Sequence, residues 1–274
     1  MKENMKNIYS NATKFLIKKI PSLDAQNILN QYLNISTEIQ PKAELSELLR
    51  RMLSSAQNSN MKAGVIGKAI GGVNNLEKAL FSFDSKKILK KFNNAPDALL
   101  DHIVKTLNPN GKIRREAKSI WPKYCQTILS SAVFFSQFSD GNEFYEWANS
   151  LYKNKRSLPA LPMILAAEIE GIGYPLACDF LKELGFINYG KPDVHVIEIF
   201  VGIGMCQPKP SPYQVQKIIT QIATESNTSS YNVDKIFWLI GSGKFYKHEE
   251  LWKNGLIGQM KEEFINSINI SRKA

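Results

Sequence analysis

Only three of the 274 residues are cysteine, and Cys125, Cys178 and Cys206 stand far apart with no CxxC pair among them. An odd, scattered set excludes a disulfide framework and a cysteine-rich metal or iron–sulfur site. The three histidines, His102, His195 and His248, are as dispersed and form no metal constellation. No apolar run approaches the roughly 18 residues that a membrane span needs. The start of the chain, MKENMKNIYSNATKF, lacks the apolar core of a secretory signal. Runs of alternating strand character, repeats of solenoid length and low-complexity tracts are also missing. These absences lead us to expect an intracellular, soluble protein without membrane attachment.

What is present in excess is positive charge. Lysine and arginine number 35 against 25 aspartates and glutamates, a net charge of +10, and the pI is about 9.3. Such a chain is drawn to polyanions, although the same charge also serves plain solubility. Helical periodicity dominates the rest. In Glu44–Ser55, Leu45, Leu48, Leu49, Met52 and Leu53 fall on one helical face. Similar stripes recur across 98–107, 113–135, 143–152, 175–184, 194–203, 213–225 and 233–240. Clusters such as Asn108-Pro109-Asn110-Gly111 punctuate them. The stretch QPKPSPY (207–213) is the best candidate for a crossover between subdomains, because proline stiffens a connection and disfavours helix interiors. Pro41 marks a second, weaker boundary.

The most informative segment is Leu161–Phe200. A helix runs into Gly171-Ile172-Gly173, and a new one starts near Pro175, a residue favoured at the first helical positions. That helix ends at Gly185. Two glycines let backbone approach a phosphate, and the following helix N-terminus aims free N–H groups at the anion. Ile172 points to the core and pins the turn. A lone GIG also reads as an ordinary helix cap. Asp193 comes 20 residues beyond Gly173, after Pro192 and just before an apolar helix. An aspartate there is a natural N-cap; it is also a carboxylate on a short loop that follows the hairpin.

Together these elements resemble the helix-hairpin-helix DNA glycosylases of the endonuclease III superfamily. The matching segments are Ile169-Glu170-Gly171-Ile172-Gly173 and Lys191-Pro192-Asp193-Val194-His195. Glu47–Asn58 resembles the family's early helix ending in S-x-Q, with Gln57 at the glutamine. Phe237–Phe245 resembles its W-L-I-x-x-G segment, and Arg114–Trp121 is a vaguer echo. The resemblance implies an all-α enzyme of two helical subdomains with a DNA-binding cleft between them. It implies a central part, residues 42–203, with the hairpin and the catalytic Asp193, and a second part from residues 1–41 and 204–274. It implies a monomer that acts on double-stranded DNA as a base-excision repair hydrolase, flipping out a damaged, mismatched or modified base. Gln57 fills the vacated stack, Asp193 stabilises the sugar cation, and Gly171, Ile172, Gly173, Tyr174, Lys191 and Lys244 contact DNA. A monovalent cation, Na+ or K+, on the carbonyls of Ala167, Ile169 and Ile172 is also implied. A DNA enzyme of this kind would be cytoplasmic and nucleoid-associated.

The chain departs from the family in two places. Relatives that also cleave the strand carry a lysine two residues after the second hairpin glycine; here that residue is Pro175, which cannot be a nucleophile. The expected chemistry is therefore hydrolysis by water, without AP-lyase activity, unless Lys191 supplies an amine. The iron–sulfur ligands of some members are missing, so no cluster and no other cofactor is expected. A catalytically silent hairpin protein that only binds DNA remains the alternative, and a helical protein-binding scaffold is a third. His195, on an apolar helix start, reads as a packed residue. Glu168 and Glu170 read as solvent-facing, and the four tryptophans as core. Gly241-Ser242-Gly243-Lys244 lacks the spacing of a P-loop.

Overall fold

The computed structural model describes residues 2–33, 44–57, 65–253 and 260–271. Helices account for nearly all regular structure, and among the described residues there is no strand. They are α1 (Lys2–Lys19), α2 (Ala25–Asn30), α3 (Leu45–Ala56), α4 (Val65–Ile70), α5 (Ser85–Phe92), α6 (Pro96–Leu107), α7 (Ile120–Phe135) and α8 (Gly141–Tyr152). There follow α9 (Ala160–Glu168), α10 (Tyr174–Glu183), α11 (Val194–Gly202), α12 (Pro212–Glu225), α13 (Ser230–Ser242), α14 (Glu249–Lys253) and α15 (Met260–Ser271). No described helix is long and apolar enough to cross a membrane. The chain divides into two compact units. One combines Met1–Glu38 with Leu181–Ala274, and the other is Ile39–Phe180.

The central unit is built around α7, whose apolar residues are buried on nearly every side: Trp121, Tyr124, Ile128, Leu129, Ala132 and Phe135 all face protein. A helix apolar all round needs neighbours all round, and α3, α5 and α6 supply them. The stripe on α3 buries Leu48, Leu49, Met52 and Leu53. The Tyr124 hydroxyl donates to the Leu53 carbonyl at 3.0 Å, which gives a buried phenol its partner. Beyond it Phe180 meets Phe135 and Phe144 edge-to-face, and those two rings meet at a tilt. Helix α7 begins at Ile120, later than the stripe 113–135 suggests. Asn108 caps α6 in the left-handed region, and residues 111, 112 and 114–118 are exposed, so no apolar face is there to bury. Phe81, Ser82 and Phe83 all have φ between 50 and 60°. A non-glycine residue there costs about 1–3 kcal/mol. Packing holds the turn: Phe83 is buried, and the Phe81 ring stacks on His102, 6.0 Å between centroids.

The terminal unit has its own core. Helix α13 runs through it against α1, α11, α12 and α15, and Leu16, Phe200, Ile219, Phe237 and Phe264 are fully buried. The sequence offered no strong stripe at the N-terminus, yet α1 belongs to this core. Its Met5, Ile8, Ala12 and Leu16 recur at helical spacing within an otherwise polar run.

Two expectations are revised by these units. Helix α11, with Asp193 at its start, packs with α13 and α15 in the terminal unit, so the division falls inside α10 and not at residue 203. The proline-rich stretch 207–213 joins α11 to α12 inside one unit and is no crossover. Its prolines start α12: Pro212 takes the first helical position, and Ser211 and Gln214 form a capping box. Pro41 lies outside the described residues.

Candidate active site

The hairpin turn begins where α9 ends. Ile169 caps α9 in an extended conformation and is 1% exposed. The Ile172 N–H then donates to the Ile169 carbonyl at 3.1 Å, closing a tight turn across Glu170 and Gly171. Gly171 has φ 78°, and a Cβ there would stand 2.4 Å from Thr127 Oγ1. Both facts select glycine. Ser130 Oγ accepts the Glu170 N–H at 3.0 Å, so α7 supports the turn from beneath through Thr127 and Ser130. Ile172 is 3% exposed and anchors the turn as expected, while Gly171 and Gly173 lie at the surface. The Gly173 carbonyl then accepts from Leu176 and Ala177, the first turn of α10. The result is exposed backbone followed by a helix N-terminus, the geometry that receives a phosphate. Substituting Gly171 by alanine should destabilise the turn by about 1–3 kcal/mol and weaken duplex binding. The comparison of interest is between the variant's melting temperature and its affinity for undamaged duplex.

The carboxylate sits in the other unit. Helix α10 ends at Glu183 with the two hydrogen bonds of a Schellman cap. Gly185 N–H donates to Lys182 and Phe186 N–H to Leu181. The chain then reaches Asp193, the N-cap of α11. Asp193 Oδ1 accepts from the N–H of His195 at 3.0 Å and of Val196 at 3.3 Å. Among the described residues Oδ2 makes no hydrogen bond. Burial raises the Asp193 carboxyl above the ordinary carboxylate range, and the like charge of Asp234 adds to this. Lys191, His195 and the Val196 N–H pull the other way. The net effect is a carboxylate whose charge is only partly compensated, with one oxygen fixed by the helix and the other open to chemistry.

The remaining expected residues fall in different places. Gln57 caps the C-terminus of α3, in the unit that carries the hairpin. Its Nε2 donates to the Ser54 carbonyl at 3.2 Å, and its Oε1 lies over Gly67 of α4. It is thus folded back along its own helix. Asn58, the end of that motif, lies outside the described residues. Tyr174 and Pro175 open α10, both half-buried. Lys191 is half-buried beside Asp193, whose N–H donates to the Lys191 carbonyl. Lys244 is exposed just past the left-handed cap Gly243. His195 packs closely under Gly241, where a Cβ would come within 2.7 Å of its own. His248 is bound to the Tyr32 hydroxyl at 2.9 Å, and His102 stacks on Phe81 and meets Phe92 at a tilt. Among the described residues no three His, Cys, Asp or Glu side chains come together to hold a metal. Ala167, Glu168 and Glu170 are exposed around the hairpin, as is its neighbour Met163. Trp121 is buried, Trp147 and Trp238 are half-buried, and the Trp252 side chain lies outside what the structure describes.

Four residues escaped the sequence reading. Thr127 and Ser130 are polar positions on an apolar helix, and Lys182 and Asp234 are charges on helices that are otherwise buried there. In each case the signal was a polar residue where the helical stripe called for an apolar one.

Comparison with known proteins bears on the fold. No family model matches the chain. It is 26% identical over 89 residues to an 8-oxoguanine DNA glycosylase/AP lyase of Korarchaeum cryptofilum; the match takes in 30% of this chain and 43% of that relative's length. A solved structure of Methanocaldococcus jannaschii 8-oxoguanine glycosylase/lyase, in complex with a 15mer DNA containing 8-oxoguanine, superposes with a TM-score of 0.53 at 17% identity. It covers 84% of this chain and 98% of that one. The chain thus has the all-helical fold of an archaeal 8-oxoguanine glycosylase and is homologous, across 89 residues, to a second protein of that description.

Proposed function

We propose that this protein is a base-excision DNA glycosylase in which Asp193 supports cleavage of the N-glycosidic bond. The observation that carries this reading is Asp193 itself. It is a half-buried carboxylate held by one oxygen at the N-terminus of α11, and it stands at the family's spacing from a GIG hairpin. The hairpin's exposed backbone and the start of α10 grip a phosphate of double-stranded DNA. The target base leaves the stack at a cost of roughly a few kcal/mol, and Gln57 fills the gap. As the bond from the sugar C1′ to the base nitrogen breaks, its electrons go to the base and positive charge spreads over the deoxyribose. Asp193 stabilises that charge and orients a water, whose oxygen bonds to C1′ while its proton passes to the departing base. The product is an abasic site. Both similar proteins are named for 8-oxoguanine, which makes it the first base to test here.

We infer further that strand cleavage is absent, because Pro175 stands where bifunctional relatives place a lysine. The similar proteins are named as lyases, so this point is decided by trapping. Borohydride added during reaction with a damaged duplex should give no covalent protein–DNA adduct, and an adduct would restore a lysine nucleophile to the mechanism. A monovalent cation at the hairpin suits the C-terminal end of α9, where the last carbonyls of a helix carry partial negative charge. Ala167, Ile169 and Ile172 would hold it, as a support for the phosphate contact. We place the protein on DNA in the cytoplasm, working as a monomer.

The decisive experiment measures binding to a duplex carrying a cationic pyrrolidine abasic analogue, against undamaged duplex and against the Asp193→Asn variant. Selective binding that collapses in the variant supports the glycosylase. Equal binding to both duplexes, unchanged by the substitution, makes the chain a DNA-binding protein without chemistry.

A further inference from the structure

The proposed reaction makes no use of a buried cluster in the same unit as Asp193. Asp234, on α13, is fully buried, and its Oδ2 accepts from Lys182 Nζ at 2.5 Å. Its Oδ1 has no hydrogen-bond partner among the described residues. Lys182 comes from the last turn of α10 and lies 5.9 Å from the Tyr231 ring. One residue on from Asp234, the ammonium of Lys235 is surrounded by the rings of Tyr231, Trp238 and Tyr246, at 5.2, 5.9 and 5.3 Å. Charges so thoroughly desolvated are expensive unless they serve each other or a neighbour.

The neighbour is the loop that delivers Asp193. At Gly190 a side chain is impossible: a Cβ would stand 2.8 Å from Asp234 Cβ and 3.0 Å from the Ser230 carbonyl. The Gly190 N–H donates to Gln216 Oε1 at 3.2 Å, and Gln216 Nε2 returns a bond to the Asn188 carbonyl. The loop is thus fastened to α12 and α13 at the level of Asp234, three residues before Asp193.

We propose that Asp234 is a positioning residue for Asp193: paired with Lys182 and seated behind Gly190, it presents a fixed like charge to the loop that carries the catalytic carboxylate. This rests on the reading of Asp193 as catalytic. The groups facing Asp193 are Lys191 from its own loop, His195 from α11 and Asp234 from α13. Those facing Asp234 are Lys182 from α10 and Tyr231 from α13. Among the influences on Asp193, only burial and Asp234 disfavour its charge. A carboxylate kept in this way is a stronger base than one whose charge is fully compensated, and it works nearer to neutral pH. The ion pair with Lys182 holds the Asp234 carboxyl in place beneath that loop.

The test follows the Asp193 carboxyl directly, by carbon-13 NMR of the full-length protein labelled in aspartate, with the resonance assigned by its loss in Asp193→Asn. In Asp234→Asn the Asp193 titration should move to lower pH, and the acid limb of single-turnover base release should move with it. If the lone substitution leaves Lys182 too poorly matched for folding, Lys182→Met/Asp234→Asn removes both charges and should show the same shift. A folded variant whose Asp193 titrates as in the wild type overturns the proposal. So does a variant that is slower at every pH with its acid limb unmoved, since a purely structural contact would do that. Asp193→Asn that still releases base would overturn the catalytic reading alone, because the NMR titration reads the Asp234 effect without it.

Discussion

Replacing Asp193 with asparagine is expected to lower the single-turnover rate of base release by about 10²–10³-fold, the usual cost of losing one preorganised electrostatic contact to a transition state. The fold should survive. Asparagine caps a helix N-terminus as well as aspartate does, so the bonds from His195 and Val196 can be remade by an amide oxygen. The variant should even gain a little stability. The folded state raises Asp193 above the ordinary carboxylate range, so it takes up this proton at a higher pH than the unfolded chain does. A group of that kind stabilises the fold while protonated, and the contribution is lost as pH rises through its folded-state value. At neutral pH the ionised Asp193 is therefore a cost, and the amide removes it. Wild type should become more stable relative to the variant as pH falls through that range. Asp193→Ala separates the two roles: it should lose the activity and also about 1 kcal/mol of stability with the cap. Rates on an 8-oxoguanine duplex, set beside melting curves of the three proteins across pH, check the argument. An Asp193→Asn protein that is slow only because it has partly unfolded would contradict it.

The parts legible in the sequence were those fixed by local rules. Ile172 pins the hairpin, Gly185 ends α10 and Asp193 caps α11, and each could be read from residue type and spacing. Helix α3 followed from its leucine stripe. The division of the chain was not legible, because it depends on which core α11 joins. Val196, Ile199 and Phe200 are simply apolar in the sequence, and only the packing of α13 and α15 against them assigns them to the terminal unit. Proline was misleading at 207–213 for a related reason. The same residue that stiffens a linker also starts a helix, and the capping box of Ser211 and Gln214 decides between the two. Thr127 and Ser130 stayed hidden because their partners lie some 40 residues away in the chain. Lys182 and Asp234 are 52 residues apart. Pairing at that distance is a property of the fold, and composition carries no trace of it.

That pair should dominate the stability of the terminal unit. Substituting Lys182 by methionine removes the charge partner that Asp234 Oδ2 has at hydrogen-bond distance, and among the described residues Oδ1 already lacks one. An uncompensated buried carboxylate is expected to destabilise the unit by about 3–5 kcal/mol. Replacing both partners, as in Lys182→Met/Asp234→Leu, should recover most of the loss, since apolar side chains of similar volume fill the space without the desolvation penalty. Leucine keeps the branch that packs against Gly190, and methionine keeps the stem of Lys182 beside Tyr231. Hydrogen exchange of the α13 amides reads this unit separately from the other. Protection should fall sharply in the Lys182 variant and return in the double variant. Equal loss in both would mean that the pair is held together by shape more than by charge. The double variant also bears on activity, because it restores the packing while withdrawing the charge behind Asp193. If its α13 amides are as protected as in wild type while its base release peaks at a lower pH, the energetic cost of burying Lys182 and Asp234 is explained by what the pair does for the neighbouring carboxylate.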